Sequence, residues 1–147
     1  MQSSDQNKKL AAAFCDLYTR GDWDALAELL SDDFIWKAVA SQRRQSPVLA
    51  GVPPLNESPG YDKQETLAVF RNTQDMCADG RFDLTPVAFT SEGDRVAFEA
   101  SGYAVNKVNG RVYDNRYHHL MRVRDGKIVE LREYQDTLLV FDVWMAP

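Results

Sequence analysis

Apolar residues in the first third of the chain recur with the period of a helix. Leu10, Ala13, Phe14, Leu17 and Tyr18 follow the i, i+3, i+4, i+7, i+8 spacing of one helical face, and Gly21 stands where a left-handed C-cap would end it. Asp22 has the chemistry of an N-cap for a short second helix carrying Trp23, Leu26, Leu29 and Leu30 on one side, which Asp32-Asp33 should break. The β-formers of 34–40 predict a first strand. From Ser41 to Gly60, four prolines and two glycines interrupt any period, which predicts a long irregular connection. A third helix is expected from about Tyr61 to Ala78, with Leu67, Phe70 and Cys77 near one face and a stop at Gly80.

Beyond Gly80 the period falls to two. Turn signals at Glu92-Gly93-Asp94, Asn109-Gly110 and Asp125-Gly126 divide this half into a four-strand meander, about 82–90, 95–105, 111–123 and 127–136. Helices followed by an antiparallel sheet is the α+β pattern. Neither half could bury its apolar face alone, so residues 1–147 are expected to form a single domain.

The alternation sorts side chains by face. In the third strand of the meander Tyr117, His119, Met121 and Val123 share the inward parity, and Arg116, His118, Arg122 and Arg124 the other. In the last strand Val129, Leu131, Glu133 and Gln135 form the aliphatic side, which brings a carboxylate inside. The two assignments agree if Arg124-Asp125-Gly126 is a three-residue loop that pairs Met121 with Val129 and His119 with Leu131. A tight two-residue Asp-Gly turn would shift the register by one and put His119 on the face of Arg132. A two-residue hairpin at Asn109-Gly110 pairs His119 with Ala100 and places Phe98, Ala100, Gly102 and Ala104 on the inner face. These small residues either leave room for a ligand or let a helix pack closely.

Composition narrows the function classes. With 44% hydrophobic and 27% charged residues the chain is of the globular type, and no apolar run approaches the roughly 18 residues that span a bilayer. The start, Met1 to Lys9, is polar, and a cytoplasmic location is expected. A net charge of −5, with Arg43-Arg44 the lone basic pair, opposes binding to nucleic-acid phosphates. Cys15 and Cys77 have neither metal spacing nor a disulfide pattern and read as buried structural thiols. His118 and His119 are adjacent on a strand and point to opposite faces, so they cannot readily share a metal ion.

At Gly21-Asp22, Asp32-Asp33-Phe34, His119-Leu120-Met121-Arg122 and Asp125-Gly126-Lys127-Ile128 the chain resembles the SnoaL-like polyketide cyclases and ketosteroid isomerases. These belong to the nuclear transport factor 2-like superfamily of cystatin-like cone folds. The resemblance implies a cone-shaped barrel of a strongly curved mixed or antiparallel sheet wrapped around N-terminal helices. It further implies a pocket for a small hydrophobic molecule at the wide end, a homodimer and no cofactor. Isomerases of this fold use a tyrosine on the first helix, a carboxylate base on the first strand and a carboxylic acid on a later strand; the matching residues here are Phe14, Ala38 and His119. The Arg-x-Asp of the related epoxide hydrolases has no counterpart at Glu99-Ala100-Ser101. The cyclases use a histidine and, fourteen residues later, an aspartate base, a spacing that His119 and Glu133 reproduce with Glu in place of Asp.

The resemblance therefore implies proton abstraction next to a carbonyl, with Glu133 as base and His119 either donating to the enolate oxygen or orienting Glu133. Trp36, Phe98 and Tyr117 would be flat apolar walls, Ala100, Gly102 and Met121 would line the same space, and Tyr18 and Asn115 would add polar contacts. Against this stands a structural reading, in which Glu133 pairs with Arg132 or Arg116 and the aromatic residues are ordinary core. The functional alternative is a non-catalytic ligand-binding or dimeric scaffold protein of the same fold.

Overall fold

The computed structural model describes residues 3–39, 45–52 and 59–147. The first helix, α1 (Ser4–Arg20), begins in a capping box between Ser3 and Gln6 and ends in a left-handed C-cap at Gly21, as the sequence predicts. Asp22 caps α2 (Trp23–Leu29) by accepting from the Ala25 backbone N–H at 3.2 Å. The first strand, β1 (Leu30–Ala38), starts earlier than expected, since Asp32-Asp33 are carried as exposed strand residues between buried Leu30 and Phe34. Of the long connection 41–60, residues 45–52 contain one 3-10 turn at Pro47–Leu49, while 41–44 and 53–58 lie outside the described residues. An unpredicted two-residue strand, β2 (Tyr61–Asp62), pairs with β1 and leads into α3 (Lys63–Asp75).

Helix α3 stops before the expected Ala78. The next strand, β3 (Cys77–Glu92), already begins at Cys77, and the positive φ values of Asp79 and Gly80, 56° and 62°, mark a local turn inside it rather than a helix cap. Then come β4 (Arg95–Asn106), β5 (Val112–Arg124) and β6 (Lys127–Gln135). The curved sheet has the order β2-β1-β6-β5-β4-β3, with β1 parallel to β6 and its other neighbours antiparallel. The inner face buries Phe34, Phe98, Met121, Ile128 and Leu131 together with Phe14 of α1 and Leu26 of α2, all under about a tenth exposed.

Both hairpin registers differ from the sequence expectation by two residues, and both keep its parity. Between β4 and β5 the loop spans four residues, 107–110, so His119 pairs with Phe98 and Tyr117 with Ala100. Between β5 and β6 the tight turn forms: Asp125 and Gly126 have φ of 51° and 75°, as a type I′ turn requires, and Arg124 pairs with Lys127. Alone, that turn would have faced Glu133 outward. The register shifts once more after Val123–Ile128, to Arg122–Glu130, leaving Val129 as the extra residue of a β-bulge. Ile128 and Leu131 are therefore inward, Val129 is only half-buried, and His119 pairs with Glu133 instead of Leu131.

The last residues form an element the sequence did not announce. Asp136 caps α4 (Thr137–Val140), which widens into a π-helical turn at Phe141–Met145. Side chains at the tip of the β4–β5 hairpin hold it. Arg111 donates to the Asp142, Ala146 and Pro147 carbonyls, and Asn106 and Asn109 both donate to the Val143 carbonyl.

The small residues of β4 face large ones and make room for protein rather than ligand. A Cβ on Gly102 would lie 2.6 Å from Tyr117 Cε2 and 3.1 Å from Phe82 Cε1, so Gly102 is what allows these two rings to approach the sheet. Gly102→Ala is expected to lower unfolding stability by about 1–3 kcal/mol through this overpacking, measured by urea denaturation; an unchanged midpoint would contradict the close approach.

Candidate functional site

One row of inward positions crosses five strands: Ala38 on β1, Glu133 on β6, His119 on β5, Phe98 on β4 and Phe89 on β3 are successive cross-strand partners. On one side of it lies the row Trp36, Leu131, Met121 and Val96; on the other lies Gln135, Tyr117 and Ala100. The central row is where the polar groups begin. His119 is 1% exposed, yet its Nε2 lies 3.4 Å from Glu133 Oε2, long for a hydrogen bond, and its Nδ1 has no partner among the described residues. Its ring is packed between Phe98, with ring centroids 4.9 Å apart, and Tyr117, stacked within 12° at 5.1 Å.

Above this row the sheet, α1, α3 and the C-terminal helix enclose a cavity of about 390 Å³. Five of the sequence-predicted residues line it: Tyr18, Trp36, Tyr117, His119 and Glu133. Four do not. Phe98 is packed beneath His119, Met121 is fully buried one row further down, and Ala100 and Gly102 are covered by the aromatic rings opposite them. Asn115 is also fully buried and reaches the cavity only through Tyr113, to which its Nδ2 donates at 2.8 Å. The ion pairs of Arg116 and Arg132 run to Asp114 and Glu130 on the outer face, and His118 is exposed against Tyr134.

Sequence reasoning missed most of the wall. Phe70 and Thr73 of α3 and Trp144 of the C-terminal turn face the sheet across the cavity, and Tyr113 and Gln135 add polar groups to its β5–β6 side. Alternation already puts Gln135 inside with Glu133, though not as a site residue, and Tyr113 shares the inward parity of Tyr117, so the same signal could have found it. Trp144 gave no such signal.

The lining is aromatic and almost neutral. Among the described residues Glu133 is its only carboxylate, and no lysine or arginine lines it. No group of three His, Cys, Asp or Glu among those residues could hold a metal ion, and no helix is long and apolar enough to cross a membrane. Burial, and after it the Glu133 charge, pushes the Tyr18 hydroxyl well above its ordinary range. Burial does the same to Tyr117, with Tyr113 and Glu133 adding to it, and to Tyr113. All three therefore remain O–H groups at neutral pH.

The chain belongs to the SnoaL-like domain family, whose pattern it matches over residues 11–131. Among solved structures, IdmH from Streptomyces antibioticus, provisionally named a polyketide cyclase, superposes with a TM-score of 0.73 at 22% identity, covering 96% of this chain and 99% of its own. PrhC from Penicillium brasilianum gives 0.76 at 16% identity, covering 97% and 87%. Bal32a, from a soil-derived mobile gene cassette, gives 0.76 at 17%, covering 96% and 98%. At these identities the likeness is one of fold, and it is the cone fold that the sequence resemblance implied. No curated protein matches the sequence significantly.

The raised tyrosines have a consequence for stability. Their folded-state values lie above the unfolded value of about 10, so the stabilisation from keeping these groups neutral is complete below that pH and is lost as the pH rises past it. The urea midpoint should fall between pH 8 and pH 11, and fall less in Tyr18→Phe. Equal falls in both proteins would contradict the buried environment of Tyr18.

Proposed function

We propose that the protein is a cofactor-independent enzyme of the SnoaL-like type that removes a proton next to the carbonyl of a small, neutral, aromatic or polycyclic compound. The observation that supports this most is the His119–Glu133 pair at the floor of an otherwise aromatic cavity, at the fourteen-residue spacing of the cyclases. Burying a histidine beside a carboxylate costs desolvation, which a purely structural core avoids. In the proposed step the Glu133 carboxylate takes the proton from the carbon, the C–H electron pair becomes a C=C bond, the carbonyl π pair moves onto oxygen, and an enolate forms. The enolate carbon then attacks a second carbonyl carbon to close a ring, and the alkoxide so formed takes the proton from the Glu133 carboxyl group; in a conjugated enolate that proton goes instead to another carbon. With its proton on Nε2, His119 donates to the carboxylate and orients it, and the neutral Tyr18 hydroxyl on the opposite wall is a donor for the enolate oxygen. The same reading takes the protein as a cytoplasmic homodimer that acts as one domain, following the family resemblance.

The second reading is a ligand-binding protein without chemistry. What favours it is Ala38, which lines the cavity beside Glu133 where the isomerases have their base. The experiment that separates the two follows hydrogen–deuterium exchange next to the carbonyl of a panel of neutral bicyclic and tricyclic ketones by NMR. Exchange above the buffer rate is expected with the wild type, with a loss of about 10²–10⁴ in Glu133→Gln and a smaller loss in His119→Ala. Equal rates in all three would remove both roles, and binding without any exchange would establish the second reading.

A further inference from the structure

The Tyr113 hydroxyl gathers three hydrogen bonds whose directions can be assigned one by one. Asn115 Nδ2, 2.8 Å away, must donate to it, because Asn115 Oδ1 already accepts from the backbone N–H groups of Arg116 at 2.8 Å and Asp136 at 3.1 Å. Gln135 Oε1, at 3.1 Å, can only accept, so the single Tyr113 proton goes to it. Tyr117, at 2.7 Å, is left to donate to Tyr113, which fills the second lone pair of that oxygen. The Tyr117 proton is thereby committed to Tyr113. Gln135, held by its carbonyl, keeps an amide Nε2 that makes no hydrogen bond among the described residues, on a side chain that lines the cavity.

We propose that Gln135 is the specificity-determining residue of this site, its free amide N–H groups recognising the carbonyl oxygen of the ligand. The inference rests on the reading of the cavity as a carbonyl-compound site and names the group that selects the carbonyl. Gln135 and Glu133 are on the same face of β6, about 7 Å apart along the strand. A carbonyl oxygen held by the first therefore brings the neighbouring carbon towards the second. Tyr113 acts behind Gln135 as a positioning residue: it holds the amide by its carbonyl end, which leaves the N–H end for the ligand.

The test is a calorimetric titration with 1-tetralone and with tetralin, the hydrocarbon of the same ring skeleton without the oxygen. The wild type is expected to prefer the ketone by about three- to tenfold, the value of one neutral hydrogen bond. In Gln135→Met, which keeps the length of the side chain and a weak acceptor for Tyr113, and in Gln135→Leu, the preference should vanish while the affinity for tetralin changes less than about twofold. Persistence of the ketone preference in Gln135→Met would overturn the assignment, as would equal loss of affinity for both compounds or a wild type without preference. These titrations read affinity alone. An absence of proton exchange with ketones would remove Glu133 as base and leave the role of Gln135 standing, and the reverse holds equally.

Discussion

The bulge at Val129 decides which side of β6 looks inward. A type I′ turn at Asp125-Gly126 fixes Arg124 opposite Lys127, and a regular ladder continued from there would place Ile128, Glu130, Arg132 and Tyr134 inside. Leaving Val129 without a partner exchanges the two faces for the rest of the strand, so that Leu131, Glu133 and Gln135 face the helices and Glu130 and Arg132 face solvent. The cost of one irregular rung is small beside that of desolvating both Glu130 and Arg132. Bulges also increase local twist, which suits a sheet that must curl around α1 and α3.

Once β6 is faced this way, the neighbouring strands sort the polar groups into a confined zone. Leu131 and Met121 continue the apolar core, with Phe98 packed beneath His119, and one row away His119 and Glu133 meet. Beyond them the tyrosines and Gln135 share hydrogen bonds among themselves, so the buried hydroxyl of Tyr113 is satisfied without water. Phe70 and Trp144 close the space from the other side. Tyr18 is stacked at right angles against Phe70 and Phe82, which holds its ring at the boundary between core and cavity.

Much of this was legible in the sequence, for reasons that also explain the failures. Gly21 and Asp22 end one helix and start the next by local hydrogen bonds, so their chemistry reads directly. The faces of His119 and Glu133 follow from alternation, which survives an error of two residues; the partners do not, because loop length and bulges are set by packing rather than by parity. That is why Leu131 and Ala100 were expected opposite His119 and Glu133 and Phe98 are found there. Ala100 and Gly102 looked like space for a ligand because a sequence shows which residues are small but not which rings fill the gap. The C-terminal turn carries no periodic pattern, being held by Arg111, Asn106 and Asn109 from another hairpin.

Ala38 and Glu133 are adjacent across parallel strands on a single row. A base on β1, the strand used by the isomerases that the chain resembles, and a base on β6 therefore differ by one strand spacing, about 4.8 Å sideways, with no change of depth. For a flat ligand lying over that row, such a step is close to the breadth of two fused six-membered rings. If Glu133 is the base proposed above, moving its carboxylate to the next strand would change which carbon of a ring system is deprotonated, without rotating the ligand or rebuilding the walls. Regiochemistry would then be a question of strand address.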